Sequence, residues 1–141
     1  MMAKKPYKLK YVILCDDARR EVAGKEILIG VYNDIIIVHA FPARLRQLVT
    51  RISIDALHEE EKEYKFSLRS PSGEELTKTS IIIDGVKEET GQILVMVWGS
   101  PSFPEEGVYY ITLEVDGKTE KIYSFFVRAV QSEEEAARIS I

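Results

Sequence analysis

Hydrophobic and polar positions alternate along most of this chain with a period of two, in stretches too short for long helices. In "RQLVTRISIDAL" Leu48, Thr50, Ile52, Ile54 and Ala56 share one side, and Gln47, Arg51, Ser53 and Asp55 share the other. That is the pattern of a strand with one buried face. "EYKFSLRS" repeats it with Tyr64, Phe66 and Leu68 inward. Further on, Tyr109, Ile111, Leu113 and Val115 alternate with Tyr110, Thr112 and Glu114. Asp116 and Gly117 then predict a hairpin, and Tyr123, Phe125 and Val127 return along the same face. At the N-terminus Tyr7, Leu9, Tyr11, Ile13 and Cys15 form an inward set interleaved with Lys8 and Lys10.

Other stretches depart from strict alternation. Glu26 to Tyr32 and Ile35 to Val38 read as two strands joined by a tight turn at Asn33 and Asp34. Phe41 to Leu45, with Pro42, reads as a short irregular crossing. Ile81 to Ile83 and Ile93 to Trp98 are continuous apolar runs, which predict central strands covered on both faces or strands with one face shielded by a partner. "FPEEGVYY" places Pro104 and Gly107 just before Tyr109, the setting of a tyrosine corner, in which a buried phenol bonds back to the preceding loop. The tail "SEEEAARI" opens on a cap-forming Ser132 and predicts a short helix.

About eight or nine strands joined by short turns predict an all-β fold: an antiparallel two-sheet β-sandwich of immunoglobulin-like or C2-like architecture, with a short C-terminal helix. A closed barrel is the competing arrangement. The 141 residues suit one core, so residues 1–131 are read as a single domain and 132–141 as a tail.

Composition narrows the function classes. The chain is 45% hydrophobic and 30% charged with a net charge of −4, which marks a globular protein. Basic residues are scattered among more numerous acids, so a nucleic-acid surface is not expected. The one basic concentration, Lys4, Lys5, Lys8 and Lys10, reads as a solvated tail and strand. A single cysteine gives no internal disulfide. The apolar run Tyr11 to Cys15 is short for a signal peptide, and no stretch approaches the ~20 apolar residues of a membrane helix. A soluble, cytoplasmic protein without membrane contact is expected.

Candidate chemistry is sparse. In "CDDARREVAGKE" the adjacent Asp16 and Asp17 invite a catalytic or metal-binding reading. Paired acids acting in acid–base catalysis need a pocket that splits their pKa values, and loop neighbours seldom supply one. Capping or turning the chain, with Gly24 ending the turn, accounts for the same residues. Calcium loops use alternating acids, a pattern missing here. His39 and His58 stand apart from each other and from Cys15, without zinc-ligand spacing. Cys15 continues an inward set and reads as a small buried hydrophobe. Trp98 and Tyr110 could form a carbohydrate-binding platform, but Trp98 sits in an apolar run that suits the core. No cofactor and no metal are therefore expected, and no enzyme activity. Asp16, Asp17 and His39 are the residues a catalytic alternative would use.

Taken in order, "ILCDDARREVAGKEILIGVYNDIII", "FPARL", "SLRSPSGEEL" and "FPEEGVYYITLEVDGK…SFFV" resemble a bacterial family known only as a domain of unknown function. The likeness runs from about Tyr11 to Val127. It is carried by Gly24-Lys25, Leu28-Ile29-Gly30, Pro42, Gly73, Gly107-Val108-Tyr109 and Asp116-Gly117. The resemblance implies a β-sandwich and brings no active site or ligand. The functional expectation is then a non-enzymatic, intracellular interaction domain with a protein partner, or a homo-oligomer. Its surface is the outward side of the strand holding Val108, Tyr110 and Thr112, where apolar groups stand in place of charge. A small-ligand or carbohydrate-binding module is the alternative, and a hydrolase using Asp16 and Asp17 a second.

Overall fold

Two layers of strands enclose the apolar sides predicted from the alternation. The computed structural model describes residues 5–84 and 91–139; Lys4 of the basic group and positions 140–141 of the tail lie outside the described residues. One layer is a four-stranded sheet in the order β2 (Glu26–Val31), β1 (Tyr7–Arg20), β5 (Gln47–Ala56), β8 (Gly91–Gly99). The other is five-stranded, in the order β3 (Ile35–Val38), β11 (Lys118–Ala129), β10 (Gly107–Val115), β6 (Lys62–Arg69), β7 (Glu75–Ile83). A small pair, β4 (Ala43–Arg44) with β9 (Ser102–Phe103), bridges one end. The protein is thus a two-sheet β-sandwich, with nine strands of four residues or more among the described residues.

The core lies where the period of two placed it. Leu48, Thr50, Ile52 and Ile54 of β5, Tyr64, Phe66 and Leu68 of β6, and Tyr109, Ile111 and Leu113 of β10 are wholly buried. Each large side chain so buried contributes roughly 1.5–3 kcal/mol. Trp98 is core as well, and its indole N–H donates to Thr50 Oγ1 at 2.7 Å, so a polar group under the sheet is satisfied. Asp116 and Gly117 turn β10 into β11 with both residues at positive φ, 55° and 76°, as a type I′ hairpin requires. The tyrosine corner forms: Tyr109 donates to the Glu105 carbonyl at 2.5 Å and accepts the Glu105 N–H at 3.1 Å. In the tail, Ser132 caps α1 (Glu133–Arg138) by accepting the Glu135 N–H, and Arg128 holds Glu135 through two bonds of 2.6 and 2.9 Å.

Three expectations are corrected, and the short crossing expected at Phe41 to Leu45 is found. Asn33 and Asp34 do not close a hairpin: β2 and β3 belong to different sheets, and β3 pairs in parallel with β11, so this bend carries the chain between layers. The inward set of β1 changes side, because the register against β5 shifts between Leu9 and Tyr11. A β-bulge adds one residue and inverts the alternation after it. Tyr7 and Leu9 face the core, then Val12 and Leu14 do, while Tyr11, Ile13 and Cys15 turn outward. Ile81 to Ile83 and Ile93 to Trp98 are not central; they lie in β7 and β8, the last strands of their sheets. The stretch Phe41 to Leu45 crosses between the layers with a cis Phe41–Pro42 bond and contributes β4.

Asp16 and Asp17 also lie elsewhere than the sequence suggests. They sit inside β1, and the corner comes later, at Glu21 to Lys25, where Ala23 and Gly24 have φ of 79° and 82°. Polar residues did not end the strand because this part of β1 pairs with β2 as a two-stranded ribbon with more of its surface in water. That ribbon curls. Glu26 pairs with Arg20 at its far end, yet its carboxylate binds Arg51, whose strand partner is Ile13. Straight β1 would carry Arg20 about 23 Å past Ile13, so the hairpin folds back across the outer side of the four-stranded sheet. Cys15 and Val49, which point to that side, are 0% and 1% exposed and stand outside the main core cluster.

Candidate functional site

The outer face of the five-stranded sheet divides into an apolar row and a polar groove. The row follows strand register: Ile35 of β3 lies beside Phe126 of β11, and Phe126 beside Val108 of β10. Their inward neighbours Ile36, Val127, Phe125 and Tyr109 are buried, whereas Ile35, Phe126 and Val108 are 47%, 36% and 50% exposed. A sheet face in water ordinarily carries charge or hydroxyls at such positions, so three large apolar side chains abreast are the feature needing explanation. At one end of the row Gly107 lets β10 start tight against Pro71: its φ is +149°, and a Cβ there would stand 2.7 Å from Pro71 Cγ.

Next to the row comes Tyr110, whose ring has the Lys121 ammonium 4.2 Å from its centroid. Beyond it is a groove of about 460 Å³, lined by Lys65, Ser67, Arg69, Lys78, Thr112 and Glu114 among others. Its charges are paired along the surface: Lys65 Nζ lies 3.5 Å from Glu114, Arg69 lies 3.7 Å from Glu75, and Ser67 donates to Glu75 at 2.8 Å. Thr112, the third residue of the predicted surface, is only 5% exposed, at the groove floor. The structure therefore brings Val108 and Tyr110 to one face and adds Ile35 and Phe126, which the sequence reading missed. Their signal was faint, since each is one apolar residue in a run whose inward members are apolar too.

The other candidates are dispersed. Asp16 accepts a bond from Tyr32 and, through its carbonyl, one from Gln47 at 3.1 Å. Asp17 accepts from the Ala18 N–H at 2.9 Å, from Arg19 Nε at 3.1 Å and from Gln47 at 3.2 Å. The Arg19 guanidinium is the chief reason the Asp17 carboxyl titrates below its ordinary value. Burial, followed by the bond to Asp16, raises the Tyr32 phenol. Both acids thus hold structural donors at the base of the curled hairpin. The Cys15 thiol is raised by burial and then by the neighbouring Asp16 charge, and it donates to the Asp17 carbonyl at 3.4 Å. His39 is exposed just past β3. His58 is buried, with Nδ1 2.7 Å from the Glu60 carbonyl and Nε2 2.8 Å from the Tyr64 hydroxyl, so both ring nitrogens have partners. Among the described residues no three His, Cys, Asp or Glu side chains gather as a metal would require. Of the basic N-terminal group, Lys5 pairs with Glu120 and Lys10 with Asp55. None of the helices described is long and apolar enough to cross a membrane.

A family model described as "Family of unknown function (DUF6941)" matches residues 10–128. Among solved structures, the crystal structure of the C-terminal domain of wzt is similar with a TM-score of 0.47 at 11% identity, over 93% of this chain and 77% of that one. No curated protein matches the chain.

Proposed function

We propose, for a chain that belongs to the DUF6941 family of unknown function, the role of a non-catalytic cytoplasmic interaction module whose five-stranded sheet docks a protein partner. One observation carries this reading: Ile35, Phe126 and Val108 form an exposed apolar row across three hydrogen-bonded strands. On one side of it lie Tyr110, Lys121 and then the paired charges of Lys65, Glu114, Arg69 and Glu75. An apolar centre with a polar rim is how partner-binding patches are built, and a central aromatic residue commonly dominates their affinity.

The test replaces Val108 and Phe126 together by glutamate and cross-links wild type and variant in the source cells. The wild type should capture one protein in stoichiometric amount, and the variant, unchanged in circular dichroism and melting temperature, should lose it. Equal capture by both would sink the proposal.

A second reading, a module for a small polar ligand such as a saccharide, is favoured by the groove of about 460 Å³ beside Tyr110. Calorimetric titration with a saccharide panel tests it, and it stands only if Lys78→Ala and Thr112→Val abolish any heat of binding. The hydrolytic alternative has no comparable support, because Asp16 and Asp17 are each committed to structural donors.

A further inference from the structure

Strand β8 ends the four-stranded sheet, and among the described residues no strand pairs with its second edge. Such an edge offers a ladder of unpaired N–H and C=O groups, which soluble proteins guard with charges, proline, bulges or brevity. β8 has none of these guards. Its nine residues, GQILVMVWG, include no charge and no proline. Its register against β5 runs unbroken from Gly99 opposite Gln47 to Gly91 opposite Asp55. The other edges differ: β3 has four residues, β7 carries Glu75 and Lys78, and β2 has six residues and belongs to the curled hairpin. On the outer side of β8, Ile93, Val95 and Val97 are 43%, 40% and 60% exposed. This is one of the two runs whose sequence implied a covered strand, and among the described residues nothing covers its outer side fully.

We propose that β8 pairs antiparallel with β8 of a second copy of this chain, about a twofold axis at Val95, joining the two four-stranded sheets into one of eight strands. The strand is its own complement in that register, which a twofold contact demands. Val95 meets Val95 of the partner subunit, Ile93 meets Val97 of the partner subunit, and Leu94 meets Met96 of the partner subunit, with a glycine at each end. No charge on the strand is placed opposite its like. In the adjoining strand Arg51 is already neutralised by Glu26. A junction of this length belongs below the roughly 1,200 Å² of a standard interface, so the dimer is a weak one that forms by mass action as concentration rises.

Light scattering on the full chain through the micromolar range should show the mass rising from one chain to two. Val95→Lys, at an exposed position, should keep the fold by circular dichroism and stay at one chain. Val95→Cys should form an interchain disulfide on mild oxidation, because directly opposed residues stand about 4.5–5.5 Å apart between Cα atoms. Val97→Cys should not, being offset from its own copy by more than 10 Å along the strands. A wild type that remains monomeric at every concentration would overturn the proposal. So would a Val95→Lys variant that still dimerises, or equal cross-linking at both cysteines. The Val108 and Phe126 substitutions leave β8 untouched and should leave this dimer intact, so the two surfaces are judged separately.

Discussion

The Arg51 guanidinium binds the Glu26 carboxylate and, on its other side, the Tyr11 hydroxyl, so one side chain of β5 fastens the far end of the β1–β2 hairpin to the sheet beneath it. Both members of the ion pair are largely shielded from water, the setting in which losing one partner matters more than at an open surface.

Arg51→Ala is expected to release the hairpin without unfolding the sandwich. Local opening should become easier by about 1–2 kcal/mol, and Cys15, the sole cysteine, should gain access to solvent. Labelling of its thiol should speed up by roughly tenfold, and hydrogen exchange should rise in Asp16 to Val31 alone. Unchanged labelling would mean that the ion pair does not hold the hairpin down.

Tyr109→Phe keeps the ring in its T-shaped contact with Phe103, 5.1 Å between centroids, and removes only the hydroxyl that serves the Glu105 N–H and carbonyl. The expected loss is about 1–3 kcal/mol, since both groups of the corner are left short of a partner. Urea denaturation followed at constant m-value measures it.

How much of this was readable in advance depends on the element. The period of two in β5, β6 and β10 and the Asp116–Gly117 hairpin follow from local rules, and so does the corner at Tyr109. Each was legible in a window of about ten residues. The bulge in β1 was not, because one inserted residue leaves the composition unchanged while inverting every side chain after it. Nor was the edge position of β7 and β8: a continuous apolar run reads the same whether a strand is buried on both faces or waiting for a neighbour. The Ile35–Phe126–Val108 row was half legible. Val108 stood out within its own strand, but Ile35 and Phe126 join it only through pairings between distant parts of the chain.

Gly107→Ala should destabilise the fold by about 1–3 kcal/mol. Its φ of +149° disfavours a side chain, and the added Cβ would meet the stiff ring of Pro71 at 2.7 Å. Gly117→Ala, at φ +76° with nothing within 4 Å, meets only the smaller cost of a left-handed residue and should cost less. Equal losses in the two melting curves would contradict the contact with Pro71.

Acid should loosen the C-terminal helix before the sandwich. The Arg128 guanidinium, followed by the Gln131 N–H, holds the Glu135 carboxyl down to about 2, against an ordinary 4.5. A depressed carboxyl favours the docked state above its undocked value and loses that effect as protons bind. The contribution is therefore complete above pH 4.5, declines as the pH falls, and is gone below about 2. Amide shifts of Ser132 to Glu135 followed by NMR should report this transition, and Arg128→Gln should leave the helix loosened already at neutral pH.

The parallel pairing of β3 with β11 has a consequence for the order in which the molecule can be made. Ile35 to Val38 leave a ribosome well before the strand they lie against, Phe126 to Ala129. Until Phe126 to Ala129 have been made the nascent polypeptide must hold an unfinished layer, with Ile36 and Val38 lacking the neighbours that cover them, and closure across so long a stretch of chain makes folding slow.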